Sequence, residues 1–227
     1  MTFLNLVLAL LALVTVLALL FGLYVMRNMF LPTRGKRIGP YLHPTQALLV
    51  MDIQESGSSN RPPLPLSSST PLGAMIAAAN RAIDRFDQAG LEVAYIRQVF
   101  GNDLVTRLHG GRILAGRLEP RIDRRVRIVN GNDFKKNRTD AFANPDLERF
   151  LIDRQVDELY LVGLDAAFCV YYTALGALNR GYRVTVLEDA VLTGRDMNKV
   201  LERYRRKDIR VMNSRELSEI SCRAKEE

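Results

Sequence analysis

The sequence predicts a three-layer α/β/α protein with a mostly parallel sheet, preceded by one transmembrane helix. The first observation is a stretch without charged side chains, residues 1–26, at the amino terminus. The second is an alternation of short β-branched runs and amphipathic helical patterns through the rest of the chain. Such alternation is typical of a parallel sheet with helices on both faces and right-handed crossovers. The residues after the first stretch are enough for a single core of ordinary size.

The amino-terminal stretch, residues 1–26, is dominated by Leu, Val and Ala. At about 1.5 Å per residue it can cross a hydrocarbon core of roughly 30 Å. It has neither the basic start nor the small-residue cleavage site of a signal peptide, so we expect an uncleaved anchor. Basic residues follow it: Arg27, Arg34, Lys36 and Arg37. The positive-inside rule therefore predicts a single-pass protein with its amino terminus outside and its main domain in the cytoplasm.

Domain boundaries follow from composition. Residues 27–44 form a predicted basic linker with Pro and Gly, 45–220 the α/β domain, and 221–227 a charged tail. Residues 56–71 are rich in Ser and Pro and predict a long loop, which either covers a pocket or is plain surface. The chain has two cysteines, as expected in a reducing compartment. Cys222 lies in the tail and is interpreted as a bystander.

The periodicity predicts each element of the domain in turn. In chain order they are an apolar strand within 47–54, a helix at 72–88, strands at 93–99 and 126–129, a helix at 146–153, a strand at 159–164, a helix at 169–179, and strands at 183–187 and 209–212.

Cys169 is the first candidate functional residue. It is predicted to lie at the first turn of a helix, just after the carboxyl end of a buried strand, where open α/β sheets bind their ligands. The amides and dipole of a helix amino terminus lower the pKa of a thiol and so increase its thiolate fraction. The alternative is that Cys169 is a small buried apolar residue.

Two further segments carry charged groups close to predicted strands. Asp52 and Gln54 follow the first apolar strand, and Lys136 precedes Ala141-Phe142 by a short segment. With the pattern Gly-x-x-x-x-x-Cys-Val at Cys169, the chain resembles the cysteine hydrolases of the isochorismatase-like superfamily, which includes nicotinamidases, carbamoylases and isochorismatases. The resemblance covers residues 44–217 and implies the isochorismatase-like hydrolase fold.

The resemblance implies a catalytic triad. Cys169 is the nucleophile, Asp52 the base that takes its proton, and Lys136 the ammonium that holds both anions. It also implies a cis peptide at Leu164–Asp165 and an oxyanion hole formed by the backbone amides of Asp165 and Cys169. Lys135 is the competing lysine, but it faces the opposite way in an extended segment, and the spacing to Ala141-Phe142 selects Lys136.

Several positions depart from the pattern of the family. Relatives often have a threonine at the position of Ala166 and a polar residue at the position of Ala167, and those side chains brace the loop. They often have a serine at the position of Asp140. Nicotinamidases bind a metal through an aspartate and histidines shortly after the catalytic aspartate. This chain has only His43 and His109, so we expect no metal and no cofactor.

Substrate-pocket candidates come from closeness in sequence to these motifs, with core packing as the alternative for each aromatic one. They are Gln54, Phe134, Phe142, Phe168 and Tyr171.

Three functions compete at this point. The first is a membrane-anchored hydrolase that cleaves a small-molecule amide or related C–N bond through a Cys169 thioester. The second is an isochorismatase-type vinyl-ether hydrolase, which relies on the aspartate. The third is a catalytically idle, membrane-tethered binding module. The net charge of +7 fits either a solvated basic surface or attraction to the membrane. No nucleic-acid motif is present, and the resemblance makes a homo-oligomer plausible.

Overall fold

The computed structural model describes residues 2–55, 72–99 and 121–219. Its helices are α1 (Phe3–Phe30), α2 (Leu72–Gln88), α3 (Pro145–Asp153), α4 (Cys169–Arg180) and α5 (Met197–Arg205). Its strands are β1 (Thr45–Met51), β2 (Glu92–Gln98), β3 (Asp133–Lys136), β4 (Val156–Leu164), β5 (Arg183–Leu192) and β6 (Arg210–Met212). Short 3₁₀ helices lie at Ala141–Ala143 and Ser214–Glu219.

The strands form one parallel sheet in the order β3-β2-β1-β4-β5-β6. The chain enters at the centre with β1 and moves outward to β2 and β3. It then returns to the other side of β1 with β4 and moves outward again. The order reverses between β1 and β4, and at such a point the loops diverge and leave a crevice at the carboxyl ends of the strands. The predicted fold class is confirmed.

The sheet separates two hydrophobic cores. On one face, β1 and β4 pack against α3, α4 and α5, with Leu147, Val170 and Tyr204 among the buried residues. On the other face, α2 covers the sheet with a buried side that includes Met75, Ile83 and Phe86. The three layers follow from the two alternating faces of each strand, because neighbouring residues contribute to opposite cores.

One predicted strand is wrong. Residues 126–129 do not join the sheet, because polar side chains take up their backbone groups. Asn80 Oδ1 accepts from the amide of Arg127, and Tyr95 Oη both donates to the Arg127 carbonyl and accepts from the amide of Val129. The strand that pairs with β2 at this edge of the sheet is β3, which begins a few residues later in the chain.

Two strands are longer than predicted, and one helix was not predicted. β4 begins at Val156 and β5 continues to Leu192, so both are longer than their apolar runs indicate. α5 was not predicted; it begins where the Asp196 carboxylate accepts hydrogen bonds from the amides of Asn198 and Lys199.

Helix α1 is longer than the predicted span and continues to Phe30. Its part Phe3–Tyr24 is long and apolar enough to cross a membrane, and none of it is buried within the protein. Length and composition of this kind are shared by membrane spans and signal sequences. The predicted loop 56–71, His109 and Cys222 lie outside the described residues.

Candidate active site

Asp52, Lys136 and Cys169 lie together at the carboxyl edge of the sheet. Asp52 directly follows β1, Lys136 ends β3, and Cys169 begins α4 just after β4. The Lys136 ammonium lies 2.8 Å from Asp52 Oδ2 and 3.3 Å from Cys169 Sγ. All three residues are buried, and Cys169 is 5% exposed. The fold thus gathers a thiol, a carboxylate and an ammonium from three separate segments.

Burial distinguishes the two adjacent lysines. Lys135 is exposed on the edge strand β3, whereas Lys136 points inward and is buried. The alternation of a β-strand gives this result, and it agrees with the choice made from the sequence. The backbone carbonyl of Lys135 accepts a hydrogen bond from Asn144 Nδ2 at 2.9 Å, which ties the strand to the start of α3.

Lys136 is a buried cation with compensating partners. Burial lowers its pKa, but the negative charges of Asp52 and Cys169 more than offset that effect, so the pKa of Lys136 is raised on balance. The side chain therefore remains an ammonium at neutral pH. Such a cation favours the charged forms of both neighbours, since each anion faces a positive group within contact distance.

Gln98 also contacts the Lys136 ammonium. Its Oε1 accepts a hydrogen bond from Lys136 Nζ at 2.5 Å, and the carbonyl of Arg138 accepts another at 3.2 Å. Gln98 was not a sequence candidate, although it ends β2 and so belongs to the same edge of the sheet. The sequence signal that could have identified it is a polar residue at the end of an apolar strand.

Gln54 holds Gln98 in place. Its Oε1 accepts from the Gln98 amide at 3.1 Å, and its Nε2 donates to the Gln98 carbonyl at 3.3 Å. The predicted pocket residue Gln54 therefore has its amide engaged with the backbone of β2. It acts on Lys136 indirectly, through the position of Gln98.

Gly163 permits β1 and β4 to approach closely beside the site. It has φ of +114°, and a Cβ at this position would lie 2.0 Å from the carbonyl oxygen of Met51. Asp52, the next residue, has φ of +53°. Gly163 is the glycine of the Gly-x-x-x-x-x-Cys-Val pattern, and its place inside an apolar strand is a signal of close backbone approach.

The loop before Cys169 is braced by groups other than the side chains of Ala166 and Ala167. The Leu164–Asp165 peptide is cis. The Asp165 carboxylate accepts from the Ala167 amide at 2.8 Å, and the Asp165 carbonyl accepts from the amides of Phe168 and Val170 at 3.0 and 3.1 Å. The loop therefore closes on Asp165.

Tyr204 supplies a second brace from α5. Its hydroxyl donates to the Ala166 carbonyl at 2.5 Å, and the Ala166 amide donates to the Leu192 carbonyl at 2.9 Å. Burial raises the pKa of Tyr204 well above its ordinary value, so the phenol keeps its proton and remains a donor. Tyr204 was not predicted, since no motif links residue 204 to the loop at 165–168.

The aromatic pocket candidates fall into two groups. Phe134 and Phe168 are partly buried, Phe134 against Phe150 at 5.1 Å between ring centroids and Phe168 with the Arg195 guanidinium 5.9 Å from its ring. Phe142 and Tyr171 are each 3% exposed and pack in the core. Phe168 directly precedes Cys169, so it is the candidate next to the thiol.

No group of three or more His, Cys, Asp or Glu able to hold a metal is found within residues 2–55, 72–99 and 121–219. His43 is exposed, and its backbone amide donates to Gln155 Oε1. The site as described consists of a thiol, a carboxylate, an ammonium and a carboxamide.

The fold and site define a class of α/β proteins that carry a thiol, a carboxylate and an ammonium at the carboxyl edge of a parallel sheet. The isochorismatase domain model matches residues 46–200, and the chain belongs to the isochorismatase family. The expected family resemblance is confirmed.

Individual relatives share limited parts of the chain. An uncharacterized isochorismatase family protein, PncA, of Bacillus subtilis is 40% identical over 81 residues, which are 36% of this chain and 44% of that protein. A streptothricin hydrolase of Streptomyces noursei is 31% identical over 67% of this chain and 56% of its own length. Among solved structures, N-carbamoylsarcosine amidase from Thermoplasma acidophilum gives a TM-score of 0.61 at 27% identity, over 75% of this chain and 96% of its own. The chain thus matches only about half of the length of these two curated relatives.

Proposed function

We propose that this protein is a membrane-anchored cysteine hydrolase that cleaves an amide or related C–N bond of a small molecule through a Cys169 thioester. The observation that carries the proposal is the Lys136 ammonium, which contacts both Asp52 and Cys169. The similarity to an N-carbamoylsarcosine amidase supports the bond type.

The first step transfers the Cys169 thiol proton to Asp52. Asp52 Oδ1 is buried and has no hydrogen-bond partner among the described residues, so it can accept that proton. Lys136 stabilises the thiolate that remains, and the amino terminus of α4 adds a favourable dipole. The Lys136 ammonium keeps its own proton throughout.

The thiolate then attacks the substrate carbonyl carbon, and the C=O electron pair moves to oxygen. In the proposed arrangement the backbone amides of Asp165 and Cys169 donate to this oxyanion, an interaction usually worth a few kcal/mol for each donor. As the C–N bond breaks, Asp52 returns its proton to the departing nitrogen, which leaves as an amine or ammonia. A thioester to Cys169 remains.

Water completes the cycle. Asp52 takes a proton from the water that attacks the thioester, and the carbon–sulfur bond breaks to release the acid product. Asp52 can then give its proton back to the thiolate. Asp52 carries every proton that this scheme transfers.

The buried Cys169–Lys136 contact favours this mechanism over vinyl-ether hydrolysis, which relies on the aspartate alone, and over a binding module without catalysis. The decisive experiment is a screen of small amides, ureides and carbamoyl compounds with the full chain in detergent. Cys169→Ala and Lys136→Met should each abolish turnover, whereas the adjacent variant Lys135→Met should retain it. Full turnover by Cys169→Ala would refute the covalent mechanism.

Helix α1 supports the location in the proposal. We infer a single span with the amino terminus outside and the catalytic domain in the cytoplasm, where the thiol stays reduced. The chain should stay in the membrane fraction after alkaline carbonate washing. Protease should degrade the domain in inside-out vesicles and spare it in right-side-out vesicles; the reverse pattern would refute the orientation. Self-association and binding of basic residues to the membrane remain predictions.

A further inference from the structure

Residues 32–38, here called the juxtamembrane strap, connect α1 to the domain and pack onto α4. The Thr33 carbonyl accepts from Asn179 Nδ2 at 2.9 Å and from Arg180 Nη1 at 3.3 Å. The Ile38 amide donates to the Arg180 carbonyl at 2.8 Å. Ile38 also packs against the core on this face of the sheet. These residues were predicted as linker, yet their backbone is bonded to the helix that begins with Cys169.

The strap also satisfies a buried carboxylate. Asp140 is 1% exposed, and its Oδ2 accepts from both the amide and the hydroxyl of Thr33 at 2.7 Å. Burial raises the pKa of Asp140, and the two hydrogen bonds from Thr33 counteract that rise. Thr33 is therefore the principal polar partner that the strap offers to Asp140.

Asp140 in turn fastens the segment after Lys136 to α4. Its Oδ1 accepts from the Phe142 amide at 2.9 Å, which caps the 3₁₀ helix Ala141–Ala143. The neighbouring Ala141 amide donates to Thr173 Oγ1 of α4 at 2.9 Å. A Cβ on Gly176 would lie 2.3 Å from Asp140 Oδ2, so the carboxylate lies directly against α4.

We propose that the strap is a positioning element of the active site, and that Thr33, through Asp140, keeps the Lys136 segment in register with the helix that carries Cys169. Only the expected loss in kcat rests on the proposed function. The contact between Lys136 and Cys169 then depends on a segment that immediately follows the membrane helix. Displacement of α1 relative to the domain is expected to change the reactivity of the thiol.

The test uses the full chain in detergent with Thr33→Val, which removes the hydroxyl at nearly constant volume, and Thr33→Ser, which retains it. The first readout is the rate of Cys169 alkylation by iodoacetamide as a function of pH. We expect the midpoint of this profile to move to higher pH in Thr33→Val and to return toward the wild-type value in Thr33→Ser. The second readout is kcat on any substrate found, with an expected loss of roughly tenfold for a small misplacement of the catalytic group.

A purely structural strap gives a different result. Thr33→Val would then lower the melting temperature and leave the alkylation profile of the folded protein unchanged, and that outcome overturns the proposal. If Thr33→Val does not fold, Asn179→Leu is measured in its place with the same decision; it removes the shorter of the two hydrogen bonds that the Thr33 carbonyl accepts. Alkylation requires no substrate, so failure of the strap proposal can be told apart from failure of the proposed hydrolase.

Discussion

The amide oxygen of Gln98 lies 2.5 Å from the Lys136 ammonium and is one of its hydrogen-bond acceptors. The ammonium is fully buried, so each acceptor replaces water that the cation has lost. Gln98 thereby helps to fix the direction in which Lys136 presents its remaining protons to Asp52 and Cys169.

Gln98→Leu should weaken both the fold and the site. A hydrogen bond to a charged group contributes about 1.5–3 kcal/mol, and its loss leaves part of the Lys136 charge without an acceptor. We expect a loss of that size in the free energy of unfolding, measured with urea, and slower alkylation of Cys169. Gln46→Leu changes a partly buried glutamine at the opposite end of the sheet and is the control. Equal alkylation rates for the wild type and Gln98→Leu would contradict this role.

Gly163→Ala should be among the most destabilising substitutions in the domain. The added Cβ would meet the Met51 backbone at 2.0 Å, and φ of +114° strains any residue with a side chain. We expect a loss of more than about 3 kcal/mol in chemical denaturation, or failure to fold. Gly131→Ala is the control, because nothing lies within 4 Å of its Cβ position. Near-equal stability of the two variants would show that β1 and β4 separate easily.

Tyr204→Phe should lower kcat without changing the pH dependence of Cys169 alkylation. The variant leaves the Ala166 carbonyl without its phenol donor, so the loop that forms the proposed oxyanion hole loses a brace. Loss of one well-placed oxyanion donor typically costs a factor of 10²–10³ in kcat, and displacement of the loop should approach the lower figure. The pH profile of Cys169 alkylation should stay unchanged, since Asp52 and Lys136 are untouched.

Tyr160→Phe is the control for that experiment. Tyr160 is also a buried tyrosine, and burial near Glu158 raises its pKa to about 12, but it lies in the core on the other face of the sheet. It should lose stability and keep kcat. A Tyr204→Phe variant with wild-type kcat would show that the loop keeps its position without the phenol, through Asp165 and the bond from the Ala166 amide to the Leu192 carbonyl.

The sequence was sufficient to predict most of the sheet and the candidates Asp52, Lys136 and Cys169, which the structure brings together. Apolar strands that are followed by a charged or reactive residue place Asp52 and Cys169 at one edge, because parallel strands share a direction. The alternation of an extended segment separates Lys136 from Lys135, and the spacing to Ala141-Phe142 selects Lys136. The grouping of Asp52, Lys136 and Cys169 into one site came from the resemblance to the isochorismatase-like hydrolases, which local pattern and topology supported.

The partners of these residues could not be predicted in the same way. The bonds from Thr33 to Asp140 and from Tyr204 to Ala166 join positions 107 and 38 residues apart. No periodicity records such pairs, since each depends on how a loop or helix packs after the sheet has formed. The false strand at 126–129 has the same origin, because Asn80 and Tyr95 occupy its backbone groups.

The loss in the free energy of unfolding caused by Thr33→Val should increase with pH. Asp140 faces Thr33 of the strap, the Phe142 amide of its own turn and Arg180 of α4, which pairs with Glu148 of α3. Burial raises the pKa of Asp140 in the folded protein above its ordinary value of 3.8. Protonated Asp140 therefore contributes fully to the stability of the fold below pH 3.8, and this contribution is lost as the pH rises through the folded pKa. Removing the Thr33 hydroxyl raises the folded pKa further, so the loss is greater when Asp140 is ionised.

Urea unfolding between pH 4 and pH 7.5 measures this dependence. A hydrogen bond to a charged acceptor contributes about 1 kcal/mol more than one to a neutral acceptor, so the destabilisation by Thr33→Val should grow by about that amount across the range. In an Asp140→Asn background the carboxylate is absent, and the same substitution should cost an equal amount at every pH. A pH-independent cost in the protein that retains Asp140 would mean that the Thr33 hydroxyl stabilises the fold through packing and through its hydrogen bond from Arg180 Nη1. The carboxylate would then draw its compensation from the backbone amides of Thr33 and Phe142 and from Arg180.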